Sequence, residues 1–298
     1  MLAASYNSLG SFAEARSHAE QALYFYDPVQ HSSLAWRYIH DLGVAAMCHR
    51  ANALWHLGFP DQAIAIEREA LAWAEKLNHH NTTGYALFYA GALPAFRRRD
   101  GVVLDCYAHQ LVAHGEQHKL PQWVIWGTYL QGPALTAAGR AKEAITRIEN
   151  ALETAEHMQN RAFRPMVYGI LAEAKFACGD SGSAIQLIDA ALSLAECTGE
   201  RWMNPELLRT KGSILLSGLH KEEAADACFR RSIELAQQQG SKMFELRSGL
   251  SLARFWRNIG KTTEARDLIF SIYNGLSEGF GTFELKEAEI WLRDLEQR

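Results

Sequence analysis

Few residues in this 298-residue chain stand in patterns that carry chemistry. Gly260-Lys261-Thr262-Thr263 has the form of the end of a phosphate-binding loop, where glycine-rich backbone N–H groups cradle phosphate and the Lys reaches it. The full motif needs another Gly five residues earlier, but Phe255 stands there, and a strand should precede it. Ten of the 12 histidines precede residue 120. His114 and His118 share a helix face by their spacing, with His109 nearby and His79-His80 in a loop. A zinc site wants three or four convergent donors, and no Cys or carboxylate completes a recognisable set. No GxSxG nucleophile elbow occurs, and no segment offers the metal-binding aspartates of a cyclase on an α/β fold. The expectation is therefore no catalytic residue, no metal, no cofactor and no enzymatic activity in this chain.

The residues that remain must be placed by the elements carrying them, and bulk composition narrows the possibilities. Apolar residues make up 48% and charged residues 21%, an ordinary globular balance. A net charge of −4 lacks the basic surplus of a nucleic-acid binder. No apolar run nears the roughly 20 residues of a spanning helix, and residues 1–10 do not resemble a signal peptide. Cys48, Cys106, Cys178, Cys197 and Cys228 are scattered without a CxxC, as expected of reduced thiols. Partners are thus expected to exclude nucleic acid and membrane, and the expected location is cytoplasmic.

The strongest signal is internal repetition. Gly followed five residues later by Ala recurs at Gly10–Ala15, Gly58–Ala63, Gly139–Ala144, Gly179–Ala184 and Gly260–Ala265. A second Ala, followed by Leu, comes seven residues on at Ala22, Ala70, Ala151 and Ala191. From Ala144 to Ala184 is 40 residues, to Ala225 another 41, and to Ala265 another 40. The 81 residues from Ala63 to Ala144 leave room for one degenerate copy around Val102-Val103. A fixed period in this range means a solenoid. The Gly closes a first helix in left-handed backbone, and the small residues let the second helix approach closely.

These units resemble the tetratricopeptide repeat, with Ala51, Gly132, Ala172, Gly212 and Ala253 as the small mid-helix residues. The resemblance implies an all-α, right-handed superhelix (an α-α solenoid) of about seven hairpins. The units fall near 1–25, 41–78, 82–119, 122–159, 162–199, 202–239 and 242–276, forming one domain with a cap over 283–298. Only nine residues precede Gly10, so the first unit is expected to be truncated. A narrower resemblance rests on Tyr26-Asp27-Pro28, Trp126-Gly127-Thr128, Leu171-Ala172-Glu173-Ala174, Ala227-Cys228-Phe229-Arg230 and Glu278-Gly279-Phe280. It is to the C-terminal repeat region of bacterial adenylate/guanylate cyclases and transcription regulators that carry a signal-transduction NTPase module.

In tetratricopeptide arrays the first helices line the concave wall. The resemblance therefore implies a groove lined by Asn52, Trp55, His56, Trp126 and Tyr129 in its aromatic half. Glu173, Phe176, Glu206, Arg209, Arg247, Arg254 and Arg257 make its charged half. Such a groove would take a peptide, a protein domain or a small ligand, and aromatics and Arg are the types that dominate hot spots. The same residues fit a structural role: Trp55 and Trp126 as core, and Glu206–Arg209 or Glu245–Arg209 as ion pairs. The one long insertion, Tyr24 to His40, holds a polar-aromatic cluster that either binds partners or caps the start of the array. The leading reading is an interaction and ligand-sensing module from a larger signalling protein. The alternatives are a nucleotide cyclase-related catalyst, and an oligomerisation scaffold pairing through the N-terminal end.

Overall fold

A computed structural model describes residues 2–296; Met1, Gln297 and Arg298, which the expected first unit and cap include, lie outside the described residues. The chain opens with α1 (Leu2–Leu9) and α2 (Phe12–Phe25). Short turns follow: α3 (Pro28–His31), a 3-10 turn (Ser32–Leu34) and α4 (Ala35–Tyr38). Next come α5 (Leu42–His56) and α6 (Pro60–Leu77), then α7 (His80–Ala86), which runs through a π turn (Leu87–Ala92) into α8 (Leu93–Arg97). The remaining pairs are α9 (Gly101–Gln117) behind α8, α10 (Pro121–Ala137) with α11 (Ala141–His157), and α12 (Arg164–Ala177) with α13 (Ser181–Thr198). After these lie α14 (Asn204–Leu219) with α15 (Glu222–Gln238), α16 (Lys242–Asn258) with α17 (Thr262–Tyr273), and finally α18 (Phe283–Glu296). The described residues contain no strand. The architecture is an all-α superhelix of helical hairpins, as the repeat predicts.

Local chemistry sets the helix ends. Asp41, Asp100 and Asp180 accept from the backbone N–H groups of Val44, Val103 and Ser183, capping α5, α9 and α13. Pro60, Pro121, Pro165 and Pro205 sit in first turns, where the missing N–H is not needed. The turn residue within each hairpin is left-handed. Gly58 and Gly139 have φ of 89° and 76°, whereas Arg99 and His220 hold the same place at 56° and 52°. The third and sixth hairpins therefore turn without glycine, which is why the Gly–Ala signature skips both.

Outer helices bury one narrow stripe, as α11 does with Ala144, Ile148, Ala151 and Ala155. Inner helices come close enough to need small residues: a Cβ added at Gly132 would stand 2.6 Å from Ile148 Cδ1.

The winding then brings the two ends of the array together. Trp55 on α5 meets Phe244 on α16 edge to face at 5.5 Å. His56 Nδ1 lies 2.8 Å from Ser241 Oγ. The Trp202 N–H donates to the Ser8 carbonyl at 3.1 Å. Beyond α17, Glu278 accepts from the Asp61 and Gln62 backbone N–H groups at 2.9 and 3.1 Å, and the Gly279 N–H donates to Asp61. The segment between α17 and α18 thus fastens the start of α6, and hairpins one and two pack on hairpins six and seven. The expected open concave groove is closed along this seam, and α5 and α16 are buried nearly all round.

Candidate functional site

Beside this seam lies a half-open cavity of about 480 Å³, lined by α8, the start of α9, and the inner faces of α10, α12, α14 and α16. Its walls come from helical stripes: Met166, Ile170, Glu173 and Phe176 on α12, and Leu207, Thr210 and Ile214 on α14 with Met203 just before it. Those spacings of three and four keep each set on one helix face. Phe96, Leu104, Pro133 and Phe244 complete the apolar lining.

The π turn aims α8 into this space. The Leu93 N–H reaches back five residues to the Phe88 carbonyl, and Pro94 has no N–H to offer. One extra residue in a helical turn rotates the following faces by about 100°. Arg97 follows that turn, and Arg97 and Arg99 line the cavity.

A charged cluster occupies its buried end. Glu206 accepts two bonds from Arg209, at 3.0 and 2.9 Å, and one from Arg99 at 2.7 Å, with Arg247 at 3.5 Å. Burial alone would push its carboxyl up, but Arg209, Arg247 and Arg99 together hold it well below the ordinary range. Arg247 also donates to Glu284 and to the Arg97 carbonyl. Arg97 is 2% exposed. It donates to Asn52 and lies 3.8 Å from Glu67, whose other oxygen takes a 2.6 Å bond from Arg98. Burial pushes the Arg97 guanidinium down to about 9, and Glu67 only partly offsets this.

Glu173 stands further out, half exposed and 4.0 Å from Arg209. Against the guanidiniums of Arg97, Arg98, Arg99, Arg209 and Arg247 stand the four carboxylates of Glu67, Glu173, Glu206 and Glu284. Arg97 Nε and Nη2 and Arg247 Nε have no hydrogen-bond partner among the described residues. Both guanidiniums lie near the Trp55 ring, at 5.2 and 5.8 Å from its centre.

The residues expected in the groove therefore separate. Glu173, Phe176, Glu206, Arg209 and Arg247 meet at the cavity. Trp55 and His56 are completely buried in the seam, and Asn52 is half-buried behind Arg97. Trp126 and Tyr129 are also buried; Phe163, held at φ 62° in the loop before α12, packs on Trp126 at 4.9 Å and fills the aromatic half. Arg254 pairs with Glu287 and Arg257 lies over Trp291 at 5.4 Å, so both face the capping helix rather than the cavity. Glu206–Arg209 is an ion pair, whereas Glu245 pairs with Lys242 at 3.2 Å and not with Arg209. Sequence reasoning missed Arg97, Arg99, Glu284 and the apolar stripes that begin at Met166 and Met203. The missing turn glycine hid the first two. The stripes were visible as Met166–Ile170–Glu173 and Met203–Leu207–Thr210 spacing.

The remaining chemical candidates have structural places. Gly260 is the left-handed turn between α16 and α17. His80 and His118 stack at 3.7 Å, and His114 Nε2 lies 2.7 Å from the His80 carbonyl. In the insertion, Asp27 caps α3 and Tyr26 donates to Asp41 at 2.7 Å. No helix among the described residues is long and apolar enough to cross a membrane.

No protein-family description matches the chain. Among curated proteins it is similar to an uncharacterized protein of Rhizobium meliloti (strain 1021), 23% identical over 229 residues. That match covers 74% of this chain but only 22% of the relative's length. Among solved structures it is similar to a Rap protein complexed with competence and sporulation factor. The TM-score is 0.61 at 15% identity, over 97% of this chain and 80% of the other. At that identity the likeness establishes the helical-repeat fold. Neither comparison supplies a tie to cyclases or NTPases.

Proposed function

We propose that this chain is a non-catalytic ligand-sensing module whose interior cavity, rather than an open groove, receives the ligand. The carrying observation is the cavity itself: about 480 Å³, apolar on most of its walls, with charged groups gathered at one end. Small-molecule sites run from about 300 to 1,000 Å³ and share this pairing of apolar lining with few polar groups. The Rap structure, complexed with its factor, supports reading this fold as a binding scaffold. In the Rhizobium protein the similar region is a small part of a longer chain, which supports a module attached to other domains. A ligand that prefers one degree of closure shifts the array toward it, and each hairpin passes the change to its neighbours.

The test is fluorescence of the neutral probe N-phenyl-1-naphthylamine. The wild type is expected to bind it saturably, and Ala134→Trp, which fills the cavity from α10, to abolish binding while circular dichroism stays unchanged. Equal binding by both proteins overturns the reading, as does nucleotide cyclase turnover with ATP or GTP and manganese.

A second surface supports protein contact. Tyr24, Phe25, Val29, Trp36 and Ile39 in and beside the insertion are each at least 70% exposed. Such an apolar patch marks an interaction site. If it pairs two copies, light scattering across a concentration series shows a dimer that Val29→Glu with Trp36→Glu dissolves; an unchanged monomer at all concentrations removes self-association.

A further inference from the structure

The insertion between α2 and α5 is tied to the start of α7 through a single imidazole. His79 is the N-cap of α7, and its Nδ1 accepts from the Thr82 N–H at 3.3 Å. The Thr82 hydroxyl lies 2.8 Å from the same nitrogen. That hydroxyl oxygen receives the Asp41 N–H at 2.9 Å, so its own hydrogen is left for His79. Thr82 and Asp41 are completely buried, and His79 is nearly so. Both neighbours of Nδ1 arrive as donors, so the one proton of the neutral ring sits on Nε2.

The insertion makes its contacts around this point. Trp36 meets the His79 ring edge to face at 4.6 Å. The Asn81 amide donates to the Ile39 carbonyl at 2.8 Å, and His40 stacks on Tyr85 at 4.4 Å. Asp41, held by Thr82, takes the Tyr26 hydroxyl and caps α5.

An imidazolium has no acceptor nitrogen. On His79 it would set an N–H against the two donors of Thr82. It would also place a positive charge at a helix N-terminus, where the helix dipole repels it. The titratable groups that face His79 are His40, Asp41 and His80. Burial and then His80 hold its proton affinity below that of a free histidine, and Asp41 opposes them more weakly. Because the folded value is lowered, the cap is intact above about pH 6.5 and is lost as pH falls.

We infer that the insertion is an acid-released clasp: a proton on His79 undoes the cap of α7 and frees residues 27–40 from it. Val29, Trp36 and Ile39, each at least 70% exposed, ride on that segment. Proton uptake thus decides whether they are presented as one ordered apolar face. This device stands apart from the cavity, and neither reading needs the other.

The experiment is hydrogen exchange read peptide by peptide from pH 7 to pH 5, each rate divided by the intrinsic rate at that pH. In the wild type, protection over residues 28–40 and 80–86 is expected to fall by up to about tenfold for each pH unit below 6.5. His79→Ser supplies a preferred N-cap acceptor that does not titrate, so its protection in both segments should change by about twofold or less. His40, His49 and His56 titrate in both proteins, and their shares cancel in the comparison. Wild-type protection that stays level to pH 5 overturns the inference, as does a fall of equal size in His79→Ser. A second readout needs no variant. Nitrogen-15 spectra of the wild type should show the His79 Nδ1 unprotonated at pH 7 and gaining its proton as the two segments lose protection. A His79 ring that is protonated while protection persists also overturns the inference.

Discussion

His56 Nδ1 lies 2.8 Å from the Ser241 hydroxyl, across 185 residues of chain. The imidazole is stacked on Phe12 at 3.8 Å and flanked by Phe244 and Trp202, so it sits in an apolar seam. Burial, reinforced by Arg97 and Arg247, holds its proton affinity well below that of a free histidine. The seam closes around a neutral ring.

That state fixes the sign of a pH effect. Unfolded His56 binds a proton below about pH 6.5 and the folded form does not, so its share of stability is present above 6.5 and is lost as pH falls. His49, which burial lowers to about 3, acts in the same direction. Glu200, raised to about 7 by burial, acts oppositely, because its folded form gains the proton first. A paired comparison removes these shared terms. His56→Asn keeps a neutral partner for Ser241 and does not titrate. Urea denaturation should show it gaining on the wild type by about 1.4 kcal/mol for each pH unit below 6.5. A constant difference from pH 7 to pH 5 refutes the assignment.

The strap beyond α17 should hold the closure. Gly279 has φ of 82°, and a Cβ there would stand 2.2 Å from Pro60 Cγ. Gly279→Ala is expected to cost about 1–3 kcal/mol through strain and displacement of the strap. Glu278→Ala removes the acceptor at the start of α6 and should cost about 1 kcal/mol. Both should raise hydrogen exchange in α5 and α16 while leaving α11 and α13 protected. Uniform change across all hairpins would show that the strap is not the local fastener.

How much of this was legible in sequence differs between elements. Local rules exposed the hairpins: Gly58, Gly139 and Gly260 do close first helices, and Gly132 and Gly212 do stand where paired helices touch. The third hairpin was located only roughly, because Arg99 replaces its turn glycine and the π turn before Pro94 adds a residue to its frame. Arg97 and Arg99, which line the cavity, lay inside that blind unit. Closure was not legible at all. It sums small rotations over several hairpins, and no periodicity along one helix reports whether Trp55 will face solvent or Phe244. For the same reason the aromatic residues were misassigned, since the side chain that covers Trp126 comes from Phe163 in a loop.

Arg99 allows a stability prediction that separates backbone from charge. A left-handed non-glycine residue costs about 1 kcal/mol relative to Gly. Its guanidinium is partly exposed and bonded to Glu206 at 2.7 Å, so screening discounts that pair to under about 1 kcal/mol. Arg99→Gly is expected to be neutral or to gain up to about 1 kcal/mol. Arg99→Ala keeps the backbone cost, loses the pair, and should fall below the wild type by about 0.5–1 kcal/mol. Thermal unfolding that ranks Ala above Gly would deny the strained turn.

Glu206 gives the sharpest contrast. Its single charge faces Arg99, Arg209 and Arg247 in the interior, so Glu206→Gln removes their shared counter-charge, leaving only Glu284 on Arg247 and Glu173 at 4.0 Å from Arg209. Breaking a buried pair on one side costs about 3–5 kcal/mol, because the stranded charge cannot return to water. The carboxyl is held well below its usual range, so this contribution is present above about pH 4.3 and is lost only as pH falls through the lower folded value. Between pH 5 and 8 the gap between wild type and Glu206→Gln should therefore stay level, unlike the sloping gap for His56→Asn. Urea midpoints at pH 8 and pH 5 read the effect. A gap that closes between pH 8 and 5 would mean that Glu206 does not balance the Arg cluster as its geometry requires.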